Sequence, residues 1–156
     1  MAPIYDPQWI RDQYETYGDR EWHRWEENPV EQVKFQVHRR ILEDHITSGV
    51  RVLDIGAGAG RFTQILAQFT DQIVVADIST KQLELNREHG EREGFASAVE
   101  ARIECDLRDM SQHFEGNSFD AVVCYGGPLS YLLDQASDGV CELARVAKPG
   151  RRSSSA

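Results

Sequence analysis

VRVLDIGAGAGRFTQILAQF, residues 50–69, passes from a short apolar run through three closely spaced glycines into a second apolar-rich stretch. Val50 to Ile55 is short, rich in β-branched residues and closed by Gly56, which reads as a buried strand. Residues 60–69 read as a helix. Glycines at the turn between them permit positive φ and leave no side chain between backbone and ligand. The helix start beyond them turns free N–H groups toward a carboxylate or phosphate.

The same alternation continues downstream. Ile73–Asp77 is a second strand, and Ser79 with Gln82 forms a capping-box pair opening a helix that runs to about Glu93, where Gly94 closes it. Val99–Cys105 is a third, more polar strand and Phe119–Tyr125 a fourth, followed by a helix over about 137–147 that stops before Pro149-Gly150. Short strands separated by helices predict an α/β fold with a parallel sheet. Upstream, Asn28, Pro29 and Glu31 signal a helix start, and Val30, Val33, Val37 and Ile41 recur at helical spacing, predicting an amphipathic helix over 29–47. The first 28 residues hold all three tryptophans and Tyr5, Tyr14 and Tyr17 among many charges. Such a segment packs on the main domain or on a ligand.

With 156 residues, 40% of them hydrophobic, the chain fits one globular domain. A net charge of −9 lacks the basic footprint of a nucleic-acid or anionic-membrane binder. Three cysteines without a C-x-x-C pair argue against a disulfide framework or a zinc site and suit the cytoplasm, with no metal expected. No signal-like or membrane-length apolar segment is legible. His38 and His45 lack a neighbouring carboxylate and read as exposed helix positions.

Asp77 lies 21 residues past Gly56 at the end of the second strand, where an acid can accept both hydroxyls of a ribose. Strand, glycine turn, helix, strand and terminal acid together point to a nucleoside-containing cofactor. The glycines are spaced G-x-G-x-G, with Arg61 where a dinucleotide fingerprint needs glycine, and no phosphate-loop lysine follows. Those departures disfavour nicotinamide dinucleotides and pyrophosphate. Asp54, just ahead of the glycines, would repel phosphate and favour an ammonium group.

VLDIGAGAGRFT (52–63), VVADIS (74–79), ECDLRDM (104–110), FDAVVCYGGPLSYL (119–132) and ELARVAKPG (142–150) resemble, in order, the motifs of class I S-adenosylmethionine-dependent methyltransferases. The resemblance implies a three-layer Rossmann-like fold with a mostly parallel sheet. It divides the chain into an aromatic lead-in or lid (1–28), an S-adenosylmethionine-binding domain (29–150) and a polar tail (151–156). It implies that Gly56, Ala57, Gly58 and Gly60 carry the backbone close to the methionine part of the cofactor and that Asp54 holds its ammonium. Asp77 would bind the ribose with Ile78 beside the adenine, Asp106 and Leu107 would contact the adenine edge, and Cys124, Tyr125 and Gly126 would lie under the sulfonium. Tyr14 and Tyr17 are candidates for a lid over the cofactor, or for packing residues. No catalytic base is assigned.

In that family further strands follow the helix that ends near Pro149, so the sequence reads as truncated after the helix following strand four. The expectation is an open edge on strand four, covered by a second copy or a partner chain. Three functions follow: methyl transfer to a small-molecule acceptor, a cofactor-binding but inactive fragment or interaction module, and, against the glycine spacing, a nicotinamide-dependent oxidoreductase.

Overall fold

The computed structural model describes residues 4–150, so the tail predicted at 151–156 lies outside the described residues. Three helical pieces lead in: α1 (Pro7–Tyr17), the single turn α2 (Arg20–His23) and α3 (Pro29–His45). Then β1 (Val52–Ile55), α4 (Arg61–Leu66), β2 (Ile73–Asp77), α5 (Thr80–Glu93), β3 (Val99–Glu104), β4 (Ala121–Val123), the short α6 (Pro128–Tyr131) and α7 (Ala136–Val146) alternate along the chain. The strands form one sheet in the order β3-β2-β1-β4, parallel throughout.

Side-chain alternation along the two central strands builds two cores. Leu53, Ile55, Val74 and Ala76 face one side with Ile10 of α1 and Val146 of α7, while Val52, Ile73 and Val75 face the other with Leu42, Phe62, Ile65 and Leu83. Helices on both faces of a parallel sheet make the expected three layers.

The lead-in is ordered by its own signals. Asp6 caps α1, its carboxylate accepting from the N–H groups of Gln8 (3.0 Å) and Trp9 (3.1 Å), and Pro7 occupies the first turn. Asp6→Ala is expected to cost about 1 kcal/mol. A drop of roughly 2–4 °C in melting temperature is the measurable consequence, and an unchanged melt would deny the cap.

Two expectations change. Helix α3 forms as predicted, but its Val30, Val33, Val37 and Ile41 stripe faces outward, 43–63% exposed. The face that packs carries Phe35, His38 and Leu42, because larger aromatic surfaces meet Trp25 and Phe62 there (Phe35–Phe62 ring centroids 5.4 Å apart). His38 is therefore half-buried among aromatics, 4.5 Å from the Tyr125 ring, and of that pair His45 alone is exposed. The fourth strand is shorter than the apolar run, Ala121–Val123 rather than 119–125. Gly126 and Gly127 take positive φ immediately after it, which leads the backbone away from the ladder. Beyond α7, the Lys148 N–H donates to the Phe119 carbonyl (2.7 Å) beside the start of β4. Among the described residues no strand lies beside Ala121–Val123 on its outer side.

Candidate cofactor cleft

The carboxyl ends of the strands meet under the lead-in helices. At the end of β1, Gly56 and Gly58 adopt φ of +68° and +54°, and Gly60 opens α4 at +104°. A Cβ on Gly58 would come within 2.9 Å of Glu21, and one on Gly56 would run into Pro128, so the turn is tight as well as left-handed. Asp54 is buried beneath it and accepts from the Thr63 hydroxyl (2.7 Å).

Asp77 ends β2 with one oxygen accepting from the Gly58 N–H (2.9 Å) and the other from the Ser79 N–H (2.9 Å). Each oxygen keeps acceptor capacity. A narrow cleft of about 620 Å³, counting its open mouth, runs over this carboxylate. On one side its walls are apolar, from Tyr5, Ile10, Ile78, Cys105, Leu107 and Leu132; on the other stand Gly56, Gly58, Tyr125, Gly126 and Glu21. A smaller hollow under the turn exposes Asp54, Ala57, Gly60 and again Glu21.

The site is rich in carboxyls held out of water. Burial pushes Asp54 up to about 7, the nearby Asp77 charge adding to it and the Thr63 bond opposing it. Burial likewise raises Asp77 to about 6, against the Ser79 and Gly58 N–H bonds. Glu21 rises to about 7 through burial, with Arg24 pulling the other way and Asp77 adding to the rise. Burial is the main cause in all three, and a cationic guest beside them would favour their charged form.

Of the residues singled out from sequence, Gly56, Gly58, Asp77, Ile78, Leu107, Tyr125, Gly126 and Tyr14 line the main cleft. Asp54, Ala57 and Gly60 line the hollow beneath it. Asp106 is not among the residues that line the cleft, although its neighbours Cys105 and Leu107 are; its carboxylate accepts from the Arg108 N–H (2.9 Å) and pairs with the Arg108 guanidinium (3.2 Å). Cys124 is turned into the core, where burial lifts its thiol to about 12. Tyr17 lines an adjoining hollow with Trp9 instead of the main cleft. Sequence reading missed Glu21, Tyr5, Ile10 and Tyr131. The aromatic density of the lead-in hinted at Tyr5 alone among them.

Among the described residues no cluster of three or more His, Cys, Asp or Glu is placed to hold a metal. No helix of those residues is long and apolar enough to cross a membrane.

Residues 52–150 match the family described as Methyltransferase domain. The chain is 32% identical over 133 residues to a ubiquinone biosynthesis O-methyltransferase of Hahella chejuensis, covering 82% of this chain and 53% of that one. It spans between two fifths and about half of the length of the curated relatives it matches. In fold it is similar to the cyclase SpnF (TM-score 0.76, 20% identity, 95% of this chain and 58% of that one). It is also similar to a 1,6-didemethyltoxoflavin-N1-methyltransferase of Burkholderia thailandensis solved with bound 1,6-didemethyltoxoflavin and S-adenosylhomocysteine (TM-score 0.71, 17% identity, 96% and 63% covered). With nearly the whole sheet and the glycine turn inside the matched span, the chain belongs to the class I S-adenosylmethionine-dependent methyltransferases.

Proposed function

We propose that the cleft binds S-adenosylmethionine and that the chain carries the donor half of methyl transfer to a small-molecule acceptor. The observation that carries this reading is the Asp77 carboxylate, buried at the junction of an apolar slot and a side-chain-free turn. That sequence of surfaces fits a nucleoside joined to an amino acid. Ile78, Leu107 and Leu132 would enclose the adenine, and the free lone pairs of Asp77 would accept the ribose hydroxyls. Gly56 and Gly58 leave the backbone open to the methionine part, with Asp54 supplying negative charge behind them. The bound sulfonium supplies an electrophilic methyl group; the chain's share is positioning and exclusion of water.

Tyr14, held over the cleft by a hydrogen bond between its hydroxyl and that of Tyr131 (3.2 Å), and Tyr125 offer π surface to a cation. The acceptors of the relative and of the toxoflavin enzyme are small molecules by their printed names, which supports the same class here. The three cysteines are unpaired, in keeping with a cytoplasmic setting. The outward stripe of α3, Val33, Val37 and Ile41, with Val140 of α7, is the face that a second copy or partner chain would cover.

Calorimetric titration with S-adenosylhomocysteine tests the reading, with NADH as control. Saturable micromolar binding of the first and none of the second is expected. A folded chain that binds neither would overturn it.

A further inference from the structure

A second hollow adjoins the cofactor cleft, bounded by α1, α2 and α6, and encloses about 650 Å³ with its mouth. The two share Ile10, Tyr14, Glu21 and Tyr131 as a common wall. Four of the eight residues that line the second are aromatic. Tyr14 stands edge-on to Tyr17 (centroids 6.4 Å, 85°) and to Tyr131 (6.1 Å, 85°), while Trp9 stands at the mouth, 53% exposed despite its size. Rings set at right angles leave faces free for a flat guest. Beside the tyrosine hydroxyls, the polar part is Gln13 and the pair Glu21–Arg24, 3.3 Å apart.

Resting on the donor reading above, we propose that this hollow is the acceptor subsite, that it takes a planar aromatic bearing a free hydroxyl, and that Glu21 receives that hydroxyl's proton. Glu21 is the one carboxylate among the described residues that lines both hollows. Its bonds are confined to Arg24, leaving acceptor capacity on both oxygens. In the transfer the acceptor oxygen forms a bond to the methyl carbon and displaces a neutral thioether, which keeps the C–S electron pair. The phenolic proton passes to the Glu21 carboxylate, so charge and atoms balance. Arg24, Asp77 and Glu27 are the charged groups that act on Glu21, with Tyr14 alongside. Burial against that set holds the carboxyl near neutrality, where it both takes and returns a proton.

The test uses the full chain saturated with S-adenosylhomocysteine and two probes, 2-naphthol and its saturated analogue decahydro-2-naphthol. The aromatic probe is expected to bind at least about tenfold more tightly than the saturated one. Trp9→Ala and Tyr17→Ala should weaken it by about tenfold while S-adenosylhomocysteine affinity stays within about twofold. 2-Naphthol becomes a strong acid on excitation, so beside a carboxylate it emits as the naphtholate. Glu21→Gln is expected to restore the emission of neutral naphthol while 2-naphthol stays bound.

Equal binding of the two probes would overturn the subsite. Naphtholate emission that survives in Glu21→Gln would overturn the proton acceptor, as would a loss of S-adenosylhomocysteine binding in that variant, which would make Glu21 a cofactor ligand. A folded wild-type chain that does not bind S-adenosylhomocysteine would fail the donor reading first, and this proposal with it.

Discussion

Asp77→Asn is expected to weaken S-adenosylhomocysteine binding by a factor of about 100 or more while the chain stays folded. Two charge-assisted hydrogen bonds to ribose hydroxyls are at stake, each worth about 1.5–3 kcal/mol. Losing most of both removes roughly 3–4 kcal/mol, and each 1.4 kcal/mol is about tenfold in affinity. Asparagine fills the same space but has one acceptor where aspartate has two. In the structure both oxygens are already engaged, one by the Gly58 N–H and one by the Ser79 N–H. The amide nitrogen must therefore face one of those N–H groups, and either the glycine turn or the start of α5 loses its anchor. Calorimetry against the wild type, with far-ultraviolet circular dichroism to establish folding, reads the effect. A loss of less than about tenfold would show that Asp77 does not hold the ligand.

The features legible in sequence are those that short-range physics determines. Asp54 to Gly60 could be placed because only glycine accepts the φ that the turn needs, and Ile73–Asp77 because an apolar run of that length between turn signals has one reading in an α/β chain. The capping box at Ser79 shows where legibility ends. Ser79 does accept from the Gln82 N–H (3.1 Å), but the Gln82 side chain does not complete the box. It is fully buried and donates to the carbonyls of Tyr14 (3.1 Å) and Gly18 (2.9 Å), tying α1 to α5. A local motif was thus used for a long-range bond, which no spacing rule contains.

Glu21 was illegible for a related reason. An acid in a charged, aromatic lead-in reads as solvated, and it becomes a partly buried site residue only when α2 folds over Gly58. Asp106 shows the opposite limit. Its place after the third strand suggests a ligand contact, whereas the structure shows it bonded to Arg108 two residues on and not among the residues that line the cleft. The α3 stripe, finally, had the right period and the wrong face. Periodicity identifies an amphipathic helix, but the choice of face was decided by the aromatic partners Trp25 and Phe62, distant in sequence.

Asp54→Asn should make the unliganded chain more stable and the cofactor weaker, and the two effects have one cause. The Asp54 carboxyl titrates near 7 in the folded chain, against an ordinary 3.8 when the chain is unfolded. Between those values the folded state holds a proton that the unfolded state releases, so stability falls as pH rises through the window. Above about 7 the full cost of a buried, crowded carboxylate is present. Asparagine keeps an oxygen for the Thr63 hydroxyl and carries no charge. At pH 8 the variant should therefore be more stable by roughly 2–4 kcal/mol. That corresponds to about 5–10 °C in melting temperature for a chain of this size. The gap should narrow as pH falls through the window and close only below about 3.8, where wild-type Asp54 is protonated in both states. Asp77 and Glu21 titrate in the same range but are present in both proteins, so the difference isolates Asp54 and its coupling to Asp77. On the ligand side, the same substitution removes negative charge from beneath the glycine turn, and S-adenosylhomocysteine affinity at pH 8 should drop by about tenfold. Thermal melts of both proteins at pH 5 and pH 8, each with and without the ligand, read all of this together. A variant that melts with wild type at pH 8, or whose advantage persists undiminished at acid pH, would mean that Asp54 is not held against ionisation. A stabilised variant with unchanged affinity would instead move the ligand's ammonium away from Asp54.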